Sequence, residues 1–216
     1  EPDVASTLSS FGGNSDQYKL LSFFGSAEYS YQSRYFVSAS VRTDGSSRFH
    51  PDNRWGTFWS FGGSWKISRE KFLEAASNKW LTNLPLRASY GAQGNDNVGY
   101  YAYKALYAIG SSLGESTVHA SRLETPDLSW ETNLNLNVGL DFGFWSNRLN
   151  GTIEFFQRSS KDLLFARDLV PSGGFASIDA NIGKLKNYGW EFTISGTPVM
   201  TEDWTWKLSV NATTYK

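Results

Sequence analysis

Over residues 133–144 the chain alternates without a break: Leu134, Leu136, Val138, Leu140, Phe142 and Phe144 take one set of positions, Asn133, Asn135, Asn137, Gly139, Asp141 and Gly143 the other. Successive side chains of a strand point to opposite faces, so this stretch reads as a strand with one apolar and one polar side. Residues 148–158 repeat the pattern, with Leu149, Gly151, Ile153 and Phe155 against Asn150, Thr152, Glu154 and Arg158, broken only by Phe156. The same reading fits 21–31, 34–43, 55–67, 84–91, 190–196 and 204–215, which makes eight strands, with 101–109 a candidate extension into a loop. Several exceed ten residues. A soluble strand averages about five or six, whereas a tilted bilayer crossing takes about 9 to 11.

The mean hydropathy is -0.41, and no run approaches the roughly 18 unbroken apolar residues of a spanning helix. Any membrane crossing must therefore be made of strands. Nine Trp, eleven Tyr and 20 Gly against a single Met suit pleated, half-buried surfaces joined by tight turns. Lys and Arg number 20 against 21 Asp and Glu, a net charge of -1, which leaves no basic field for nucleic acid. The absence of cysteine removes disulfides, thiolate metal sites and a Cys nucleophile together. Glu1-Pro2-Asp3 has neither the basic nor the apolar region of an export signal, so for an exported protein the beginning is expected to be missing.

Connections alternate in length. Gln32-Ser33, 145–147 and 198–203 are short, whereas 44–54, 92–129 and 160–186 are long and rich in Gly, Ser, Asn and Asp. Outer-membrane barrels have short periplasmic turns and long external loops, so the two rims can be assigned. Residues 68–79, with Ser68 first, Glu70 in the first turn and Phe72, Leu73 and Ala76 spaced for one face, read as a short capped helix on the periplasmic rim. Trp130, Trp145, Trp190 and Trp204 fall at the ends of the expected strands, as an interfacial aromatic girdle requires. The alternative from a different class is a soluble all-β carbohydrate-binding or adhesive sandwich whose Trp residues fill a core.

Eight strands could close a small barrel. By the rim assignment, however, the first would begin and the eighth would end at the external rim, while closed bacterial barrels keep both termini in the periplasm. The expectation is an antiparallel transmembrane β-barrel segment, open at both edges, belonging to a larger sheet.

An ordered series of motifs then becomes recognisable. Tyr29-Ser30-Tyr31-Gln32-Ser33-Arg34-Tyr35 is followed by Val41-Arg42-Thr43-Asp44-Gly45-Ser46-Ser47-Arg48-Phe49 and by Asn53-Arg54-Trp55-Gly56. Later come Ser68-Arg69-Glu70-Lys71-Phe72-Leu73, Leu86-Arg87-Ala88-Ser89-Tyr90-Gly91, Gly94-Asn95, Thr125-Pro126-Asp127-Leu128-Ser129-Trp130-Glu131, Val138-Gly139-Leu140-Asp141-Phe142, Asn181-Ile182-Gly183 and Asn187-Tyr188-Gly189-Trp190-Glu191. In this order the series resembles the SusC/RagA family of TonB-dependent outer-membrane transporters, with Asp44, Gly45, Arg48, Phe49, Arg54, Trp55 and Gly56 as its densest signature. Trp59, where the family usually has Pro, and the lead-in 1–19 depart from it.

The resemblance implies a bacterial outer-membrane protein with a signal peptide, a plug domain and a barrel of about 22 strands closed around the plug, of which 1–216 is part of the wall. It also implies a SusD-like surface lipoprotein as lid, energy from the TonB-ExbB-ExbD complex through the missing N-terminal part, a glycan or peptide as substrate, and no cofactor.

Carboxylates on polar strand faces, Glu28, Glu131, Asp141, Glu154 and Glu191, invite a glycosidase reading. A wet lumen accounts for them more simply, and the chain is read as no enzyme. His50 and His119, about seventy residues apart, have no metal-ligand spacing. The pairs Gly12-Gly13, Gly62-Gly63 and Gly173-Gly174 lack the Lys and helix of a phosphate loop and read as turns or bulges. Candidate substrate contacts are Tyr100, Tyr101 and Tyr103 in an external loop, with Tyr107 beside them, and Arg42 and Glu154 on the lumen face. The tyrosines serve equally well for loop packing or for touching the lipoprotein.

Overall fold

Each alternating stretch becomes a strand of one sheet. The structure is a computed structural model that describes residues 15–77 and 79–216. Its strands are β1 (Leu20–Tyr31), β2 (Tyr35–Ser46), β3 (Trp55–Lys66), β4 (Leu81–Asn83), β5 (Pro85–Asn95), β6 (Leu106–Ser112), β7 (Glu115–Arg122), β8 (Glu131–Phe144), β9 (Leu149–Lys161), β10 (Leu164–Asp168), β11 (Ser177–Asn181), β12 (Lys184–Met200) and β13 (Thr205–Tyr215). The main sheet runs β1-β2-β3-β5-β8-β9-β12-β13, with β4 as a short addition to β8. Its eight long members are the eight expected strands, and every neighbouring pair is antiparallel.

Register carries the two faces across the sheet. Val138 lies opposite Ala88 and Phe155, and Phe155 opposite Trp190. On the other side Asn137 lies opposite Ser89. The apolar side is open: Val138 is 37%, Trp190 47% and Ile194 52% exposed although all lie inside strands. A sandwich would bury those side chains under a second sheet. The only other sheets among the described residues are the two-stranded hairpins β6-β7 and β10-β11, so the soluble sandwich has no second layer to stand on. Among the described residues a packed cluster of buried side chains forms where loops meet at the rim of the long connections, around Phe49, Ala102 and Leu128.

Turns on the opposite rim are tight. Gln32 and Ser33 both adopt positive φ, 50° and 52°, and the Arg34 amide donates to the Tyr31 carbonyl at 3.0 Å. That handedness matches the right-handed twist of the strands it joins.

Several expectations need correction. Residues 68–79 do not form one capped helix: short helical turns at Ile67–Arg69 and Lys71–Leu73 precede a four-residue α1 (Glu74–Ser77), and no side chain caps the first two. Phe72 is 70% exposed, so no apolar face holds a longer helix together. Glu70 instead accepts hydrogen bonds from Tyr35 Oη at 2.6 Å and Trp65 Nε1 at 3.0 Å, with Arg34 at 3.7 Å. These donors hold its carboxyl below the usual glutamate range, Tyr35 contributing most. The strand expected within 101–109 is displaced to β6, which pairs with β7 and not with the main sheet.

Trp145 and Trp204 do sit in turns, but Trp190 lies inside β12, and Trp130 packs against Phe49 and Phe58 at ring separations of 5.5 and 5.3 Å. Trp130 does stand at a strand end, directly before β8, but packs into the loop core, whereas Trp190 is displaced from the strand end altogether. Gly62-Gly63 is neither turn nor bulge; it pairs in regular register with Ser38 and Val37. Gly174, at φ +78°, is in a turn, and Gly12-Gly13 lies outside the described residues.

Candidate functional site

The polar face of the sheet forms a concave wall. Residues from six strands converge there because register places Arg87 opposite Gly139, Gly139 opposite Glu154, and Glu154 opposite Glu191. Arg87 grips Asp141 with two hydrogen bonds, Nε at 2.7 Å and Nη2 at 2.9 Å, and reaches Glu154 at 3.5 Å. Thr152 Oγ1 donates to the same Asp141 oxygen as Nη2, at 2.8 Å. Such a fork fixes direction as well as charge. Arg87 remains 46% exposed at its side chain, so the pair contributes little to stability. What it does is orient polar groups over a hollow of about 650 Å³ lined by Glu28, Ser89, Asn137 and Glu154 among others. Arg87 thus bridges two carboxylates, Asp141 and Glu154, that stand on neighbouring strands of the same face.

At the rim of the long loops the chain builds a rigid collar. Phe49 is fully buried and Leu128 nearly so, with Trp130 against them and its indole N-H donating to the Arg54 carbonyl at 2.8 Å. Arg48 lies over the rings of Tyr18 and Tyr100, at 4.7 and 5.3 Å, and donates to the Asp96 carbonyl at 2.8 Å. Asp96 also accepts from Tyr18 and Ser46, at 2.9 and 2.7 Å. Burial and that bond to Asp96 push the Tyr18 phenol up from its ordinary value. Asn53 donates to the Pro126 carbonyl, and Asn181 clamps Ser129 in both directions. Glycine makes room: a Cβ on Gly45 would press on the Trp55 ring at 2.9 Å, and one on Gly56 would meet Phe58 at 2.6 Å and Trp130 at 2.9 Å.

The sequence-derived site residues do not converge on one point. Tyr100 belongs to the Arg48 stack. Tyr101 has φ 53°, accepts Arg122 through its carbonyl and lies beneath Lys104. Tyr103 meets His50 edge-on at 5.6 Å. Tyr107 is in β6 and 69% exposed. Arg42 is bonded through Nε to both oxygens of Asp44 at 2.7 and 2.8 Å, on β2, four strands from Glu154 on β9 in the sheet order. Of the other carboxylates, Glu131 is buried and accepts from Asn133 and the Leu164 amide. Sequence reasoning gave no role to Arg87 or Asp96, which organise the wall and the collar. The available signal for Arg87 was its place on the polar face of a strand opposite one that carries Asp141.

A sheet with these two faces can be matched to known proteins. The sequence model of the family described as TonB dependent receptor-like, beta-barrel, matches residues 2–216. The chain belongs to this family. It is 40% identical over 203 residues to the TonB-dependent receptor SusC of Bacteroides thetaiotaomicron, covering 90% of this chain and 20% of that protein. TonB-dependent receptor P39 of Formosa agariphila is 35% identical over 205 residues, covering 94% and 20%. Among solved structures, the RagAB peptide importer in its closed-closed state superposes with a TM-score of 0.85 at 33% identity, covering 92% of this chain and 22% of that one. The siderophore receptor PirA from Pseudomonas aeruginosa, at 14% identity and a TM-score of 0.59, shares the fold. The chain thus spans about a fifth of the length of its curated TonB-dependent relatives and is a fragment of a larger barrel. Of the residues singled out in the sequence, Arg48, Phe49 and the Arg54 carbonyl lie in the collar, Asp44 is bonded to Arg42, and Gly45 and Gly56 leave room for Trp55 and for Phe58 with Trp130.

Proposed function

We propose that this sheet is part of the wall of a bacterial outer-membrane transporter that imports a bulky nutrient, an oligosaccharide or a peptide. The observation that carries the reading is the sheet itself: eight long antiparallel strands, an exposed apolar face and a polar, hydrogen-bonded face. Only a barrel in lipid gives both faces their proper solvent. Likeness to SusC and to a peptide importer supports the nutrient class. The same likeness supports a SusD-like lipoprotein over the collar and TonB-ExbB-ExbD driving transport through an N-terminal plug. Residues 1–216 are then one partial barrel domain.

In this reading the substrate passes Tyr100, Tyr101 and Tyr103 at the mouth and Arg42 and Glu154 along the inner wall. The bonds already made by Arg42 and Glu154 orient them, and both keep exposed surface toward the lumen. Deleting the gene in its host and supplying defined glycans or peptides as sole nutrient tests the reading. Growth should fail on one substrate class and return with the full-length gene. Unchanged growth on every class, or recovery of the full-length protein from membranes without detergent, would overturn it.

A further inference from the structure

The outward face changes character at one place. Down β9 and β12 it is apolar or aromatic, with Ile153 opposite Phe192 and Phe155 opposite Trp190. Toward the collar the same face carries Lys186 opposite Ser159 and then Lys184 opposite Lys161, with Leu134 and Thr132 of β8 completing those two rows. Three ammonium groups therefore stand on two adjacent strands, on the side that elsewhere meets hydrocarbon, and all three residues are exposed. Like charges directly opposite on neighbouring strands destabilise a sheet unless something offsets them. None of the three lysines forms an ion pair among the described residues, and Asp162, next in the chain, makes none with them. Lys186 has its ammonium 5.8 Å from the centre of the Tyr188 ring, one row closer to the apolar band.

Their height is informative. Lys186 is level with Ser159, ten residues along β9 from Leu149 at the turn end of the strand. At about 3.3 Å per residue and a tilt of 35–45°, that is roughly 25 Å above the turn. An outer-membrane barrel has an apolar band about 25 Å tall. The lysines stand where that band ends and headgroups begin, with Thr132 and Ser159 hydroxyls beside them.

We infer that Lys161, Lys184 and Lys186 form a binding site for the phosphate of an outer-leaflet lipid, whose acyl chains lie over Tyr188, Trp190 and Phe155. The inference rests on the membrane reading above, which sets this rim outward. A phosphate between the strands offsets the repulsion of Lys161 and Lys184, and ammonium groups at the headgroup level gain more from an anionic surface than in water.

The test uses the full-length transporter purified in detergent, with lipid A and chemically dephosphorylated lipid A as paired probes. Retained lipid is counted by native mass spectrometry, with inorganic phosphate as competitor. Wild type should retain lipid A at least five-fold better than the dephosphorylated form. The triple Lys161→Gln/Lys184→Gln/Lys186→Gln variant should lose that preference, the corresponding triple Lys→Arg variant should keep it, and Lys71→Gln/Lys79→Gln/Lys207→Gln should not alter it. Equal retention of both lipids by wild type overturns the site, and this comparison stands even if the Gln variant fails to assemble. Displacement by millimolar inorganic phosphate would assign the lysines to a free anion and overturn the lipid. A Gly173→Cys reporter labelled with an impermeant maleimide on intact cells checks the rim separately. Labelling only after permeabilisation would sink the orientation, whereas labelling without a phosphate preference would sink the lipid site alone.

Discussion

Val138→Arg and Asn137→Arg place the same charge on adjacent residues and on opposite sides of the wall. Val138 is the eighth residue of the 14-residue β8, close to the middle of the crossing, and its neighbours in register are Ala88 and Phe155. Neither residue directly opposite carries a side-chain acceptor for a guanidinium. Arginine at the midplane of a barrel's lipid face costs about 2–4 kcal/mol, or roughly 30- to 700-fold in the folded fraction at ten-fold per 1.4 kcal/mol. Asn137 faces the hollow, opposite Ser89, with Glu28 and Glu154 lining the same space. A cation added there meets water and carboxylates, and the expected cost is about zero. The assay is urea-dependent refolding of the full-length protein into lipid vesicles, read by the heat-modifiable gel shift. Equal losses for the two variants, or a larger loss for Asn137→Arg, would refute the assignment of faces.

Three further outcomes follow from the collar, the turn rim and the loops. A methyl on Gly94 would run into the Phe58 ring, so Gly94→Ala should cost about 1–3 kcal/mol in urea midpoint, and adding Phe58→Leu should restore part of it; additive losses would show that the two do not meet. Because donors from Tyr35 and Trp65 depress the Glu70 carboxyl, its contribution is complete above the ordinary glutamate range and is lost as pH falls through the lower folded value. Limited proteolysis across 67–77 in the full-length protein should accelerate below about pH 4 in wild type and lose that pH step in Glu70→Gln; a step unchanged by the substitution would assign it to another group. A protease site inserted between Gly173 and Gly174, where nothing lies within 4 Å of either glycine's missing side chain, should be cut on intact cells unless a lid shields it, while one inserted at 145–147 should not. The reverse pattern, with no lid present, would invert the topology.

Sequence periodicity exposed the sheet because each face of the wall meets a different solvent, and that difference is written at every second residue of β8 and β9. It was silent wherever the outward face leaves hydrocarbon. Lys184 and Lys186 occupy outward-face positions of β12, so the apolar alternation stops, and Lys184 to Lys186 fall in the expected loop 160–186 although they pair with β9 without interruption. Trp130 fails for a different reason. A Trp before a strand looks the same whether it sits in a headgroup layer or in a packed collar; only Phe49, about eighty residues away in the chain, and the Arg54 carbonyl decide it. The Arg87–Asp141 grip is non-local in the same way, joining residues 54 apart. Local pattern reports the solvent a residue meets, while the collar and the inner wall are made by contacts between rows. Their residues could be listed from the sequence as polar-face or loop positions, but which charge holds which could be assigned only once register had placed β5 beside β8.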